Sequence, residues 1–269
     1  MKLILFSKAL LFIGIFGLAP RILAARSDGC ADLRLSKQTL RSTSTGLTSV
    51  WVFSEKDFSQ GPFVPSSTAE KSHIQWVRQR TSWSSRENLR NGIRIRQKTV
   101  NQLPRLDVFR LSLERDIRNL SKVINGSIGR IRPLRCIEGL AFREYLRIAD
   151  LRSHPQEFQA IFMEKDGVIA MLGDFYRKKP SDIVGTMPSA ATLKYKAQLE
   201  QKGWVFHAHL HNHPFDFTNT YGDIGGSLAP SDPDLEIYLS QKPRYALITN
   251  GIETIEIPQK DFSKFERAK

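Results

Sequence analysis

Four of the six histidines in the chain stand at alternate positions, His207, His209, His211 and His213, in the run Trp204-Val-Phe-His-Ala-His-Leu-His-Asn-His-Pro214. No other feature constrains the fold as tightly. A spacing of two is the period of side chains on one face of an extended strand, so residues 204–211 predict a β-strand with several imidazoles on one side. A lone buried histidine is ordinarily a satisfied core residue. Two neighbouring imidazoles on a strand face make half a metal site, and zinc commonly takes three protein ligands with the fourth position open.

The segments around this strand alternate in type. Residues 158–163 and 168–172 are short apolar runs joined by Lys165-Asp166-Gly167, which predicts a hairpin. Residues 190–201 and 231–240 have helical composition. Residues 244–249 and 252–257 flank Asn250-Gly251, a second hairpin signal. Upstream, Leu106, Phe109, Leu113, Ile117, Leu120 and Ile124 step by three or four, predicting a helix near 105–124 that stops at Asn125-Gly126. A further helix is expected at 139–151. Residues 41–68, rich in Ser, Thr, Gly and Pro, read as loop or short strands around Val50-Trp51-Val52-Phe53.

A third ligand is expected from a carboxylate or an imidazole close in space. Pro230-Ser231-Asp232-Pro233-Asp234 is the candidate. Its S-x-x-D spacing is also a helix-capping signature, and the two uses are compatible because a helix start fixes an acid and a hydroxyl in place. Asp232 competes with Asp234, and His207 and His209 compete with His211 and His213.

His211-Asn212-His213-Pro214 followed by Ser231-x-x-Asp234 resembles the signature of the JAMM (MPN+) metallopeptidases, H-x-H-P then P-S-x-x-D. That family also has a glutamate upstream, where a strand begins; Glu157, 54 residues before His211, matches the place. The resemblance covers residues 139–258. It implies an α/β fold, a mixed sheet flanked by helices. It implies Zn²⁺ held by His211, His213 and Asp234, with Glu157 as general base and then acid and Ser231 stabilising the oxyanion. The expected reaction is hydrolysis of a peptide or isopeptide bond in a protein or peptide substrate. Pro214 favours His211 and His213 as the ligands, His209 would be an additional or supporting one, and Glu164 competes with Glu157 as the base. Twenty residues lie between His213 and Asp234, more than the family pattern has, so 215–228 reads as an insertion at the rim of the site.

Residues 1–25 read as a secretory signal: Lys2 and Lys8 precede an uncharged apolar run at 9–20, and Ile22-Leu23-Ala24-Ala25 offers a cleavage site. That run is too short to span a bilayer, so no other membrane span is expected. Export, to a periplasm or outside the cell, would allow a bridge between Cys30 and Cys136, the only two cysteines; sequence leaves them paired or free. Charge is uneven. Residues 26–156 hold 24 Lys/Arg and 12 Asp/Glu, whereas 157–269 hold 13 and 15. The chain therefore divides into a leader, a basic region of unknown fold at 26–135, and a metallopeptidase-like domain at 136–269. The leading expectation is an exported zinc metallopeptidase. The alternatives are a non-catalytic MPN-like binding module and a nucleic-acid-associated protein, the latter disfavoured by export.

Overall fold

The histidine run forms strand β7 (Val205–Asn212) in the interior of a mixed sheet. The computed structural model describes residues 21–24, 30, 33–43, 46–80, 84–105, 107–152, 155–176, 188–217 and 226–267. Among these the other strands are β1 (Arg21–Ala24), β2 (Arg34–Ser42), β3 (Gly46–Ser54), β4 (Arg130–Pro133), β5 (Gln159–Lys165), β6 (Val168–Tyr176), β8 (Tyr245–Thr249) and β9 (Glu253–Pro258). The nine strands run in the order β1-β2-β3-β6-β5-β7-β8-β9-β4. Every neighbouring pair is antiparallel except β7 and β8. The expected mixed sheet flanked by helices is present.

Helices cover both faces: α1 (Glu55–Phe58), α2 (Thr68–Arg78), α3 (Ser85–Val100), α4 (Val108–Ile124), α5 (Cys136–Ile148), α6 (Ala190–Gln201) and α7 (Asp232–Gln241). On one face Phe58 and Ile137, Phe142 and Tyr145 of α5 pack on Ala160, Phe162, Ala208, Leu210 and Leu247. On the other, Leu235 and Tyr238 of α7 pack with Leu120 and Val123 of α4 on Ala246, Ile248 and Ile255. Alternate residues of β8 thus enter opposite cores, as the strand period requires.

The expected boundary at 135/136 does not divide the fold. Residues 21–54 and 130–133 supply both outer parts of the same sheet, and β3 pairs with β6 over nine residues, Gly46↔Tyr176 to Ser54↔Val168. Strand backbone must find partners, and an alternating apolar strand finds them on an existing sheet edge. Cys30 and Cys136, left open by the sequence, form a buried disulfide across this supposed boundary. Most of the expected leader lies outside the described residues; its end, Arg21–Ala24, pairs with β2. No helix among the described residues is long and apolar enough to cross a membrane.

Local chemistry explains most of the remaining elements. Asp166 and Gly167 both have positive φ, 51° and 74°, the conformation of the tight turn joining β5 to β6. At Asn250-Gly251 the loop is longer than a two-residue hairpin, because Asn250 Oδ1 accepts from the backbone N–H of Ile252 and of Glu253. The apolar stripe of α4 is only half used. Leu120 and Val123 are buried, whereas Phe109 is 56% exposed. Within the basic region, residues 71–105 hold nine Lys/Arg and a single acid, Glu87; this basic stretch folds largely as α2 and α3, helices whose sparse apolar positions, among them Val77 and Leu89, still reach the core.

Candidate metal centre

Topology brings the candidate residues to one place. β5 runs antiparallel to β7, with Gln159 opposite His211, so the residues just before β5 lie where β7 ends. The chain leaves that end, forms α7 and returns as β8, parallel to β7, which sets the start of α7 beside the same strand end. Crevices at the carboxyl ends of parallel strands are common ligand sites for this reason.

His211, His213 and Asp234 converge there. Their ligand atoms all lie within 4.8 Å of one another. His211 Nε2 is 3.1 Å from His213 Nε2 and 3.4 Å from Asp234 Oδ1, and His213 Nε2 is 3.5 Å from Asp234 Oδ2. Each group is also oriented from behind. His213 Nδ1–H donates to the carbonyl of Ser227 at 2.7 Å, which turns the lone pair of Nε2 toward the other two groups. His211 Nδ1 lies 3.4 Å from the Tyr238 hydroxyl, one helical turn after Asp234. Two imidazole nitrogens and a carboxylate, each held from its far side, are a donor set suited to zinc.

Asp234 fills the capping role expected of it while one carboxylate oxygen stays turned to the cluster. It is the third residue of α7 and closes a capping box: its Oδ2 accepts from Ser231 N–H at 2.8 Å and from Ser231 Oγ–H at 2.7 Å, while Asp234 N–H donates to Ser231 Oγ at 3.4 Å. Oδ1 is left facing His211. The hydroxyl proton of Ser231 is therefore committed to the carboxylate, and an oxyanion contact from Ser231 requires that proton to turn away.

Charge at the cluster favours a cation. Burial pushes the Asp234 carboxyl up, but the charges and hydrogen bonds of His211 and His213 hold it well below the usual range. Burial acts to lower the pKa of His213, yet the hydrogen bond and charge of Asp234, with the charge of Glu157, raise it to about 9. A metal ion here would have to displace that proton, because only the neutral imidazole can act as a ligand.

The competing residues are separated by geometry. Asp232 turns to Arg115, with Oδ2 2.8 Å from its Nη2. Glu164 lies at the far end of β5 beside the Asp166-Gly167 turn, where its Oε1 accepts from Gly167 N–H at 3.4 Å. Glu157 stands two residues before Gln159, which pairs with His211, and its charge acts on His213 and Tyr238 and also on Tyr145 of the opposite core. His209 stays behind His211, 3.4 Å from Gln159 Oε1, and burial followed by the charge of His211 lowers its pKa to about 3. It is outside the three-residue group.

The four histidines do not share one face. Ala208 pairs with Phe162 and Phe206 with Met163, leaving His207 unpaired in a β-bulge. A bulge adds one residue and breaks the alternation. His207 therefore turns to the opposite face, onto Phe58 and Tyr245.

The long segment between His213 and Asp234 begins and ends at one point. Gly226 N–H donates to the Pro214 carbonyl at 3.0 Å, so the excursion closes on itself and returns the chain to Ser227, the partner of His213. Phe215, 2% exposed, would collide with any side chain at position 226, where its ring lies 2.4 Å from a built Cβ. Residues 218–225 of this expected insertion lie outside the described residues.

Three contributors were not evident from sequence: Asn212, the Ser227 carbonyl and Tyr238. Tyr238, four residues after Asp234 on a helix, had a usable signal. Asn212, lying between two candidate ligands, had none. Protein-family models, curated proteins and solved structures were all compared with the chain, and none matches it.

Proposed function

We propose that the protein is a zinc-dependent peptidase of JAMM type that hydrolyses a peptide or isopeptide bond. One observation carries this reading: two imidazoles and one carboxylate come within 4.8 Å of one another at the end of β7, against which lies the segment preceding β5 that carries Glu157. His211, His213 and Asp234 would hold the ion. When bound, zinc in such a site supplies a Lewis acid and brings the pKa of a coordinated water toward about 7.

The remaining roles belong to the chain. Glu157 accepts the proton of the attacking water and delivers it to the leaving amine. Asn212 holds the backbone on either side of Glu157, fixing where that carboxylate sits. Ser231 keeps Asp234 in register through the capping box and offers a hydroxyl to the oxyanion once it is released. The buried Cys30–Cys136 disulfide supports an oxidising compartment, in keeping with the leader-like first residues.

The test is metal analysis of the native chain, followed by cleavage of a peptide library with and without chelator. Stoichiometric zinc and chelator-sensitive cleavage are expected, with Glu157→Gln retaining metal and losing turnover. Native protein without metal would favour a binding module, and chelator-insensitive hydrolysis would remove the mechanism.

A further inference from the structure

On the face of the sheet opposite the metal cluster, the bulged residue His207 lines a pocket of about 260 Å³ between α1, the start of α5 and β8. His207 is 4% exposed, and its Nε2 is buried with no hydrogen-bonding partner. A buried nitrogen without a partner is costly and uncommon in a folded chain. The bulge makes it more notable, because regular alternation would have put this imidazole with His209 and His211 on the other face.

The walls are built from two arginines laid on aromatic rings. Arg135 Cζ lies 5.1 Å from the Phe58 ring centre and Arg244 Cζ 5.5 Å from that of Tyr245. The His207 ring stands edge-on between them, 4.7 Å from Phe58 and 5.7 Å from Tyr245. Arg135 is occupied by Glu256 at 2.6 Å. Arg244 makes no ion pair among the described residues. Glu256 also receives Arg132 at 3.0 Å, so its charge is spent, and Lys56 and Arg244 outweigh the remaining acid, Glu55.

We propose that this pocket is a binding site for a small oxyanion, a carboxylate or a phosphate, held between the Arg244 guanidinium and His207 Nε2–H. Guanidinium groups present paired N–H donors matched to such anions, and a neutral imidazole protonated at Nε2 adds a third. Burial and then the charge of Arg244 lower the pKa of His207, against the opposing charges of Glu164 and Glu55. The aromatic rings shield the anion from water and strengthen the contact. The site shares no residue with the metal cluster and does not depend on the peptidase reading.

The experiment is a titration of the full, disulfide-intact chain with inorganic phosphate and, separately, with succinate, following the His207 ring signals by NMR. Saturable movement of those signals with a dissociation constant of about 1 mM or tighter is expected. Response to phosphate alone or to succinate alone identifies the class, and either supports the site. Arg244→Gln, an exposed position, should weaken binding at least about tenfold. Glu55→Gln should leave binding unchanged or tighter, since it removes a like charge. His207 signals unmoved by about 50 mM of either anion would overturn the proposal. Unchanged affinity in Arg244→Gln, or weaker binding in Glu55→Gln, would do the same.

Discussion

Asn212 Oδ1 accepts the backbone N–H of Phe158 at 2.6 Å, while Asn212 Nδ2 donates to the carbonyl of Gln156 at 3.1 Å. A residue between two metal-ligand candidates therefore grips the backbone before and after Glu157. Asn212 N–H also donates to the Phe158 carbonyl at 3.3 Å, so all three contacts lock the end of β7 to the segment bearing Glu157. If Glu157 is the general base, Asn212 is its positioning residue. Asn212→Ala should lower kcat by about 10- to 100-fold with zinc content unchanged. It should also cost about 1–3 kcal/mol of stability, through the unpaired Phe158 N–H. Asn212→Asp, which keeps the acceptor, should recover part of the rate. A kcat that stays at wild-type level in Asn212→Ala would separate Glu157 from catalysis.

Ligand assignment is tested by contrast. His211→Ala, His213→Ala and Asp234→Asn should each abolish stoichiometric metal binding, measured by elemental analysis after dialysis. His207→Ala and Asp232→Asn should keep the metal, because the bulge turns His207 to the other face and Asp232 serves Arg115. Loss of metal in His207→Ala would contradict that placement.

Tyr238 sits behind His211, its hydroxyl 3.4 Å from Nδ1. With Nε2 facing the cation site, Nδ1 carries the proton and the phenol oxygen accepts it. Tyr238→Phe should weaken zinc binding about tenfold, read by competition with a chromogenic chelator, with little change in the fold.

His73 provides a pH-dependent component of stability away from the cluster. Burial, reinforced by Arg152, lowers its pKa from 6.5 to about 4. Its ring packs on Phe142 at 5.2 Å, and its Nε2 is buried without a partner. Below pH 6.5 the unfolded chain takes up a proton that the folded chain refuses, so stability falls as pH drops from 6.5 to about 4. The loss is on the order of 3 kcal/mol at the acid end. Urea unfolding of the wild type and of His73→Phe across this range should show a flatter profile for the variant.

The Cys30–Cys136 bridge spans 106 residues and ties the edge of the first core to the start of α5. Closing so long a loop restricts the unfolded chain, so reduction should cost on the order of 2–5 kcal/mol. Thermal unfolding with and without reductant should differ by about 5–15 °C.

Legibility from sequence followed the range of the interactions involved. The strand at 205–212, the Asp166-Gly167 turn and α4 were readable because their signals are local: a period of two, a turn dipeptide and a period near 3.6. The triad His211, His213 and Asp234 was readable as a pattern, and so was the Ser231 cap. The bulge at His207 was not, because it depends on how Met163 and Phe206 pair across the sheet. The basic stretch 71–105 concealed α2 and α3, since charge dominated its composition while a few residues such as Leu89 did the packing. The basic region looked separate because its charge differs, yet backbone hydrogen bonding takes no account of net charge.

By itself the sequence determined which side chains can meet at a strand end and which residue caps the helix carrying the acid, since both follow from the repeat of a single element. Only the tertiary structure decided that Asp232 turns to Arg115, that Asn212 grips the Glu157 segment, and that His207 leaves its neighbours for the opposite face. Each of those outcomes is set by contacts between elements far apart in the chain. Distances across a sheet are fixed by register and crossover, and neither is encoded in the spacing along one strand.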